Sequence, residues 1–586
     1  MARFDNMVQL SRKSCDEHAA RDLFGTKKNG AWSWTTYRQF GEMVDACRGG
    51  LKKRGVGPGD RVAIVADNRV EWAVAAHATY GLGAAFVPMY QVQLPKEWKF
   101  ILDDCGAKVV IAANDTIHET LAEMAGELEA LDHVIGLELA DEHEDAWASL
   151  LAAGKESPAE PEDPSADDIA GLIYTSGTTG KPKGVLLSHG NITSNINAIH
   201  DVFTFEVSDR SLSFLPWAHS FGQTCELHGL MSMGCSMAIN DDVKNLVANL
   251  ADVKPSILFA VPRIFNRIYD GVNKQISDKP GIIQSLFRSG IAGAGKKSND
   301  EVLGIGESMS LWLADRIIFS GIRDKFGGQL RYAISGSAAL DQSVAEFIDA
   351  LGIMVYEGYG LTETSPIVTA NYPGSRRMGT VGKAVPGVKV RIDEEASDQP
   401  GDGEIVVYGP NVMKGYHNRP EENAKVLMED GGFRTGDLGR LDDDGFLKIT
   451  GRIKEQYKLE NGKYVMPAPL EEQLKLSPYI ANVLLFGANK PHNVALVVPD
   501  VETVHKWADE KGVSLGELES SEELVELLER ELAERGADFK GFERPRAFAV
   551  VAEDFTTDNG MLTPTMKLKR RAILAKYQDR IDGLYG

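Results

Sequence analysis

The residues best suited to chemistry lie at 174–185, YTSGTTGKPKGV. Ser176, Thr178 and Thr179 offer hydroxyl donors, Gly177, Gly180 and Gly184 supply flexible points, and Lys181 and Lys183 are cations. A loop of this kind can wrap a polyphosphate, because glycines let backbone amides approach the oxygens while hydroxyls donate and lysines neutralise. It is not a Walker A loop, since Pro182 follows Gly180-Lys181 where that motif needs Ser or Thr after the lysine. Composition alone would equally allow a Gly/Thr-rich turn. Further along are YGLTET at 359–364, TGD at 435–437, GRIKE at 451–455 and TPTMKLKRR at 563–571. Each is weak alone.

The elements that must hold these residues alternate between helical and strand patterns. Tyr37, Phe40, Val44, Cys47 and Leu51 recur at spacings of three and four, one face of a helix. RVAIVA at 61–66 and KVVIA at 108–112 are short β-branched runs, with a helix from Glu71 to Tyr80 between them. Alternation of this type predicts βαβ units and a largely parallel sheet. The Pro- and acid-rich stretch 154–168 is a surface connection leading into a strand over 169–175. Residues 279–307 carry weak helical fragments and read as an insertion of undefined role. Short strands with turn signals at 383–408 predict a small β-rich subdomain, and Ser520 with Glu523 predicts a capping box ahead of a helix lined by Leu524, Leu528 and Leu532.

The chain has 586 residues, long enough for several cores. Its formal charge of -22 predicts solubility and a net field that repels nucleic acid and anionic membranes. Five scattered cysteines without Cys-x-x-Cys spacing argue against a disulfide framework or structural zinc and suit a reducing cytosol. Residues 1–24 hold no apolar signal segment, so a cytoplasmic protein is expected. Peripheral membrane contact and a homodimer stay open.

The whole string at 174–185, followed in fixed order by the other motifs, resembles the adenylate-forming (AMP-binding) superfamily. The pattern LENGKYVMPAPLE at 459–471 is similar to that of long-chain fatty acyl-CoA synthetases, and the ending at 563–571 and the insertion point the same way. The resemblance implies an α/β fold with a large multi-subdomain N-terminal region, two α/β layers plus a small β-barrel-like part, over residues 1–451. It also implies a hinge at 452–454 and a mobile α+β lid at 455–586. ATP, Mg2+ and coenzyme A are the implied co-substrates and ion, and a medium- or long-chain fatty acid the implied substrate.

Residue by residue, the resemblance places the phosphates at Thr175, Ser176, Gly177, Thr178, Thr179, Gly180, Lys181 and Lys183. Adenine would lie between Tyr359, with Gly360 and Thr362 beside it, and the segment Gly336, Ser337 and Ala338. Glu363 and Thr175 would hold Mg2+, and oxygen ligands suit that ion. Asp437 would accept from the ribose hydroxyls, and Arg452 would contact the nucleotide. His219, in PWAHSFG, would sit beside the acyl group, with Trp217 at the acyl entrance. Lys454 would be the hinge. Lys567 falls on the catalytic lysine position, with Met566 where the family has glycine and Lys569 as competitor. Proline at 454 is expected to spare the first half-reaction if the adenylating orientation tolerates it. Alternatives are a fatty acyl-AMP ligase that loads a carrier protein, an aryl- or short-chain ligase, a non-catalytic nucleotide-binding scaffold and, most remotely, a P-loop phosphotransferase.

Overall fold

The computed structural model describes residues 3–175, 182–298, 301–397 and 399–585. The helix Tyr37–Lys53 forms on the face expected, with Tyr37, Phe40, Val44, Cys47 and Leu51 all buried. Thr36 caps it by accepting from the Gln39 amide. Strand Arg61–Val65, helix Val70–Tyr80, strand Ala85–Met89 and strand Val109–Ala112 follow, all in the core.

These strands belong to a seven-stranded sheet. Its order is Gly415–Tyr416, Lys183–Ser188, Ile169–Thr175, Ala85–Met89, Arg61–Val65, Val109–Ala112, His133–Gly136. The centre is parallel, and one edge is an antiparallel hairpin of Ile169–Thr175 with Lys183–Ser188. In the connection that joins this hairpin, residues 176–181 lie outside the described residues.

A second, nine-stranded sheet runs parallel through Met354–Gly360, Tyr332–Ser335, Ile257–Ala260, Arg210–Ser213, Ser236–Ile239 and Asp22–Lys28, with antiparallel edges. Side-chain layers from both sheets meet in one continuous core. The β-rich subdomain is a four-stranded antiparallel sheet, Lys389–Asp393, Gly403–Tyr408, Phe433–Leu441 and Leu447–Arg452.

The C-terminal part has its own three-stranded sheet, Ile480–Phe486, Asn493–Pro499 and Pro545–Val550, covered by the helices Val501–Lys511, Glu522–Arg535 and Arg570–Gly583. Two apolar clusters, one on each face of this sheet, make a core separate from the large region. The cap of Glu522–Arg535 differs from expectation by one residue. Ser521, not Ser520, accepts from the Leu524 amide, because Leu524 must start the buried stripe.

The insertion is better ordered than its pattern suggested. Gly281–Ser298 and Ile305–Ala314 form an antiparallel helical hairpin. A Cβ built at Gly290 would lie 2.4 Å from the Ala314 Cβ, so the glycine permits close helix contact there. No disulfide is present among the described residues; Cys47, Cys105, Cys225 and Cys235 are buried thiols. Among these residues no helix is long and apolar enough to cross a membrane.

Candidate active site

The strand Met354–Gly360 carries Tyr359 to the C-terminal edge of the nine-stranded sheet. Its parallel neighbour Tyr332–Ser335 ends beside it and feeds directly into Gly336, Ser337 and Ala338. Loops at the C-terminal ends of parallel strands are the usual place for ligands in α/β sheets. Gly336 passes Phe221 closely: a Cβ there would meet the ring at 3.1 Å. Ser337 and Ala338 are exposed, and Ser337 has φ +71°. Gly360 has no alternative residue, since a Cβ would fall 1.8 Å from the Pro366 carbonyl oxygen.

Asp437 and Arg452 face each other across the strands Phe433–Leu441 and Leu447–Arg452. Their side chains pair at 2.9 Å, Nε to Oδ1. The other carboxylate oxygen, Oδ2, accepts from the Tyr359 hydroxyl at 2.8 Å. Asp437 is nearly buried while the Arg452 side chain is 41% exposed. Burial, then the Asp437 charge, holds the Tyr359 phenol well above its ordinary range. Asp437 likewise raises the Arg452 pKa.

Glu363 lies in the single turn Thr362–Thr364 that follows. Its Oε1 accepts from the Tyr416 hydroxyl at 2.8 Å, and burial followed by this carboxylate raises the tyrosine pKa. The Lys183 ammonium sits 5.1 Å above the Tyr416 ring centre and pairs with Glu422 at 2.5 Å. That hydrogen bond draws the Glu422 pKa down to about 2. Thr175 is the register partner of Lys183 across the hairpin. Thr175, Lys183, Tyr416 and Glu363 are therefore linked in one chain of neighbours. Behind it, Tyr174 donates to Asp104 at 2.7 Å, and Arg419 holds the same carboxylate at 2.9 Å. Ser176, Gly177, Thr178, Thr179, Gly180 and Lys181 lie outside the described residues. Sequence reasoning missed Tyr416 and Glu422. KGYHNRPEE at 414–422 carried a helix-start signal in Pro420, but nothing local marked contacts to residues 53 and 239 positions away.

His219 accepts from the Phe221 amide on Nδ1 at 3.2 Å, which leaves the proton on Nε2. Burial, followed by the Lys567 charge, lowers its pKa to about 4, so the ring is neutral at pH 7 and can donate. Thr362 is tied to the same loop through the Ser220 hydroxyl at 3.3 Å. Trp217 does not line an entrance. It is fully buried, donates to Ser213 at 2.9 Å and packs edge-on against Trp72, as core.

In the C-terminal part, Lys567 is exposed and lies within electrostatic reach of this group. The lysine stands in the electrostatic field of Arg452, Asp437, Glu455 and Glu363. The enclosing protein, then Arg452, lowers its pKa, and the three carboxylates oppose that. Lys569, two residues on, pairs instead with Glu97 of the large region at 3.4 Å. Below both, Glu471 accepts from Arg570 and, at 2.6 Å, from the Leu485 amide. Lys454 is exposed in the turn after Leu447–Arg452 and is not part of the cluster.

Met566 occupies φ +61°, where glycine is the residue without penalty. Its side chain is 51% exposed and so has little packing to offset that strain. Met566→Gly is expected to stabilise the C-terminal part by about 1 kcal/mol at most, after the greater entropy loss of glycine is subtracted. Thermal melts measure this, and a clear loss of stability would show that the methionine side chain contributes packing.

Among the described residues no cluster of three or more His, Cys, Asp or Glu could hold a metal alone. One carboxylate and one hydroxyl, Glu363 and Thr175, fit an ion that arrives with phosphate oxygens as its other ligands.

The model of the AMP-binding enzyme family matches residues 9–417, and that of the AMP-binding enzyme C-terminal domain matches residues 454–586. The chain is 34% identical over 570 residues to long-chain-fatty-acid–CoA ligase FadD15 of Mycobacterium bovis, covering 95% of this chain and 93% of that protein. It is 32% identical to the peroxisomal long chain acyl-CoA synthetase 7 of Arabidopsis thaliana, covering 99% and 86%. The crystal structure of the adenylation domain of a carboxylate reductase from Mycobacterium chelonae superposes with a TM-score of 0.79 at 24% identity, over 99% of this chain and 91% of that one. The chain belongs to the AMP-binding enzyme family and is an acyl-activating, AMP-forming enzyme.

Proposed function

We propose that the protein activates a medium- or long-chain fatty acid as its acyl-AMP and then transfers the acyl group to coenzyme A, releasing pyrophosphate and AMP. What supports this reading is a site in which Asp437 is shared by Tyr359 and Arg452, Glu363 is held by Tyr416 and Lys567 stands within electrostatic reach, in a chain similar along its length to proteins named as long-chain fatty acid–CoA ligases.

In the first half-reaction a carboxylate oxygen attacks the α-phosphorus of ATP and pyrophosphate leaves. Two unit negative charges 4 Å apart repel by about 4 kcal/mol at an effective dielectric near 20. Lys567 is placed to offset that charge at the carboxylate and α-phosphate. Lys183 and the phosphate loop serve the outgoing pyrophosphate. Mg2+, held by Glu363 and Thr175 when bound, would neutralise phosphate charge. Each oxygen of the Asp437 carboxylate keeps a second lone pair after serving Tyr359 and Arg452, so both can still accept from ribose hydroxyls. Neutral His219, with its proton on Nε2, is a donor for an acyl carbonyl. In the second half-reaction the thiol attacks the mixed anhydride, the C–O bond to AMP breaks, and no protein nucleophile is needed.

A pyrophosphate-exchange panel over fatty acids of increasing length and over aryl acids tests the substrate. Exchange is expected with medium and long fatty acids, and exchange with aryl acids alone would overturn the reading. Release of acyl-CoA from free coenzyme A distinguishes this activity from loading of a carrier protein.

We read residues 1–451 as the large region, 452–454 as the hinge and 455–586 as the lid, in the orientation that serves the first half-reaction. The Arg452 carbonyl accepts from the Glu455 amide at 3.2 Å and from the Gln456 amide at 3.1 Å, which closes one helical turn over Ile453 and Lys454. Proline at 454 would push Ile453 out of the helical region and oppose that turn. On this reading proline at 454 does not spare the first step. Lys454→Pro is expected to impair pyrophosphate exchange more than thioester formation from supplied acyl-AMP. Assay of both steps on the folded variant checks this, and full activity in both would remove Lys454 from the hinge.

A further inference from the structure

Glu226 takes no part in the chemistry above, yet it is a carboxyl group with no exposed surface, set in the π-helical segment Phe221–His228 that follows His219. Its two oxygens serve one strand of the nine-stranded sheet. Oε1 accepts from the Ser211 hydroxyl at 2.9 Å and Oε2 from the Ser213 hydroxyl at 2.8 Å. These serines lie two apart on Arg210–Ser213, so both point to one face. The network continues past the strand. The Trp217 indole donates to Ser213 Oγ at 2.9 Å, and the Trp217 amide donates to Asn68 at 2.7 Å. Asn68 in turn donates to the Leu215 carbonyl at 2.7 Å. The Pro216 carbonyl accepts from the His219 amide at 3.0 Å, and the His219 carbonyl accepts from the Gln223 amide at 2.9 Å. The turn bearing His219 is thus held between Trp217 and the helix that carries Glu226. Burying a carboxyl group costs free energy, and an apolar side chain of similar volume would fill a core without that cost. Segments of π-helix are frequent at functional sites.

We propose, on the reading of His219 as donor to the acyl carbonyl, that Glu226 is a positioning residue for the acyl end of the site: through Ser213 and Trp217 it fixes the turn that carries His219. Donor count sets the direction of each bond. Ser213 has one proton and gives it to Glu226, so its lone pairs are left to accept from Trp217. A proton on Glu226 adds a third donor around two carboxyl oxygens. One serine must then turn its hydroxyl, and the tie to Trp217 slackens. Burial raises the Glu226 pKa to about 7, opposed by the hydroxyls of Ser213 and Ser211. The titratable groups packed around it are neutral at pH 7: Cys225 and His228 on its own helix, His77 and Tyr80 on Val70–Tyr80, and His189 and His200 on His189–Val202. The charged residues of these elements are engaged elsewhere, Arg210 with Ser236 and the Trp34 ring and Glu71 with Arg69, while Asp201 is exposed. The flanking strands Ser236–Ile239 and Ile257–Ala260 carry no titratable side chain. Glu226 therefore changes charge close to neutral pH.

Wild type and variants are compared in acid-dependent pyrophosphate exchange. Glu226→Ala is expected to lower kcat/KM for the fatty acid by about 10- to 100-fold with the KM for ATP within about twofold, because a small misplacement at a reacting centre is that costly. Glu226→Gln keeps the volume and cannot ionise. The ratio of wild type to Glu226→Gln in kcat/KM for the fatty acid is expected to rise several-fold as pH increases through about 7, and the ratio cancels the titration of other groups. Trp217→Phe keeps an aromatic ring in the core without the indole N–H. It is expected to lower the same constant, and its effect should not add to that of Glu226→Gln. Stability gives a readout without turnover. The fold favours the neutral acid, so wild type should gain in melting temperature over Glu226→Gln as pH falls from about 7 toward the ordinary 4.5. A ratio that stays flat across pH 7, additive effects of Glu226→Gln and Trp217→Phe, or an equal rise in the KM for ATP would overturn the proposal. A structural role alone would lower the melting temperatures without separating acid from ATP. Failure of the fatty-acid reading would appear instead as wild-type exchange with other acids only, and the variants are then compared with the acid that supports exchange.

Discussion

Lys567→Ala is expected to lower adenylate formation by about 10²–10³-fold, the loss typical of removing one preorganised group that meets developing charge. Thioester formation from supplied acyl-AMP should stay within a few-fold of normal. The asymmetry follows from where the charge problem lies. Only the first half-reaction brings two anions together, and only there does an ammonium among Arg452, Asp437 and Glu363 have charge to offset. Lys569→Ala is the matched control. It breaks the partly exposed pair with Glu97, worth about 1 kcal/mol or less, and should slow the first step by well under tenfold. If Lys569→Ala produces the large split and Lys567→Ala does not, the alignment through Met566 is wrong and Lys569 is the working lysine.

Asp437→Ala should act on the nucleotide. The carboxylate holds Tyr359 on one oxygen and Arg452 on the other, and it is nearly buried. Its removal deletes an acceptor for the ribose and releases two side chains that shape the same pocket. A lost hydrogen bond to a charged group costs about 1.5–3 kcal/mol, so the KM for ATP should rise on the order of 10- to 100-fold. The KM for the fatty acid should change little. Asp437→Asn keeps the volume and one acceptor and should fall between wild type and alanine. An unchanged ATP response in a folded Asp437→Ala protein would take the residue out of the site.

Much of the large region was legible because its elements bury one face and repeat with the period of that element. Tyr37–Lys53, Val70–Tyr80 and Val109–Ala112 follow directly from spacing. The insertion was illegible for a physical reason. Gly290 and Gly293 have low intrinsic helix propensity, yet both sit where Gly281–Ser298 packs on Ile305–Ala314. Tertiary contact overrode propensity. Trp217 shows the reverse error. Its place two residues from His219 suggested the acyl entrance, but a side chain two residues away can leave by the other side of the loop, and this one enters the core.

The sequence by itself determined the chemical inventory and its order: a glycine- and hydroxyl-rich loop after a strand, a tyrosine and glutamate in YGLTET, an aspartate in TGD and a lysine near the end. It also marked Met566 as unusual. Tertiary structure alone decided which groups meet. Tyr416 reaches Glu363, Asp437 is shared by Tyr359 and Arg452, and Lys567 stands exposed within electrostatic reach of Asp437 and Glu363 while Lys569 pairs with Glu97. Local periodicity encodes which face of a helix or strand is buried, and so it recovers elements. Contacts between charges hundreds of residues apart depend on how sheets and domains are set against one another, and no spacing within either segment records that.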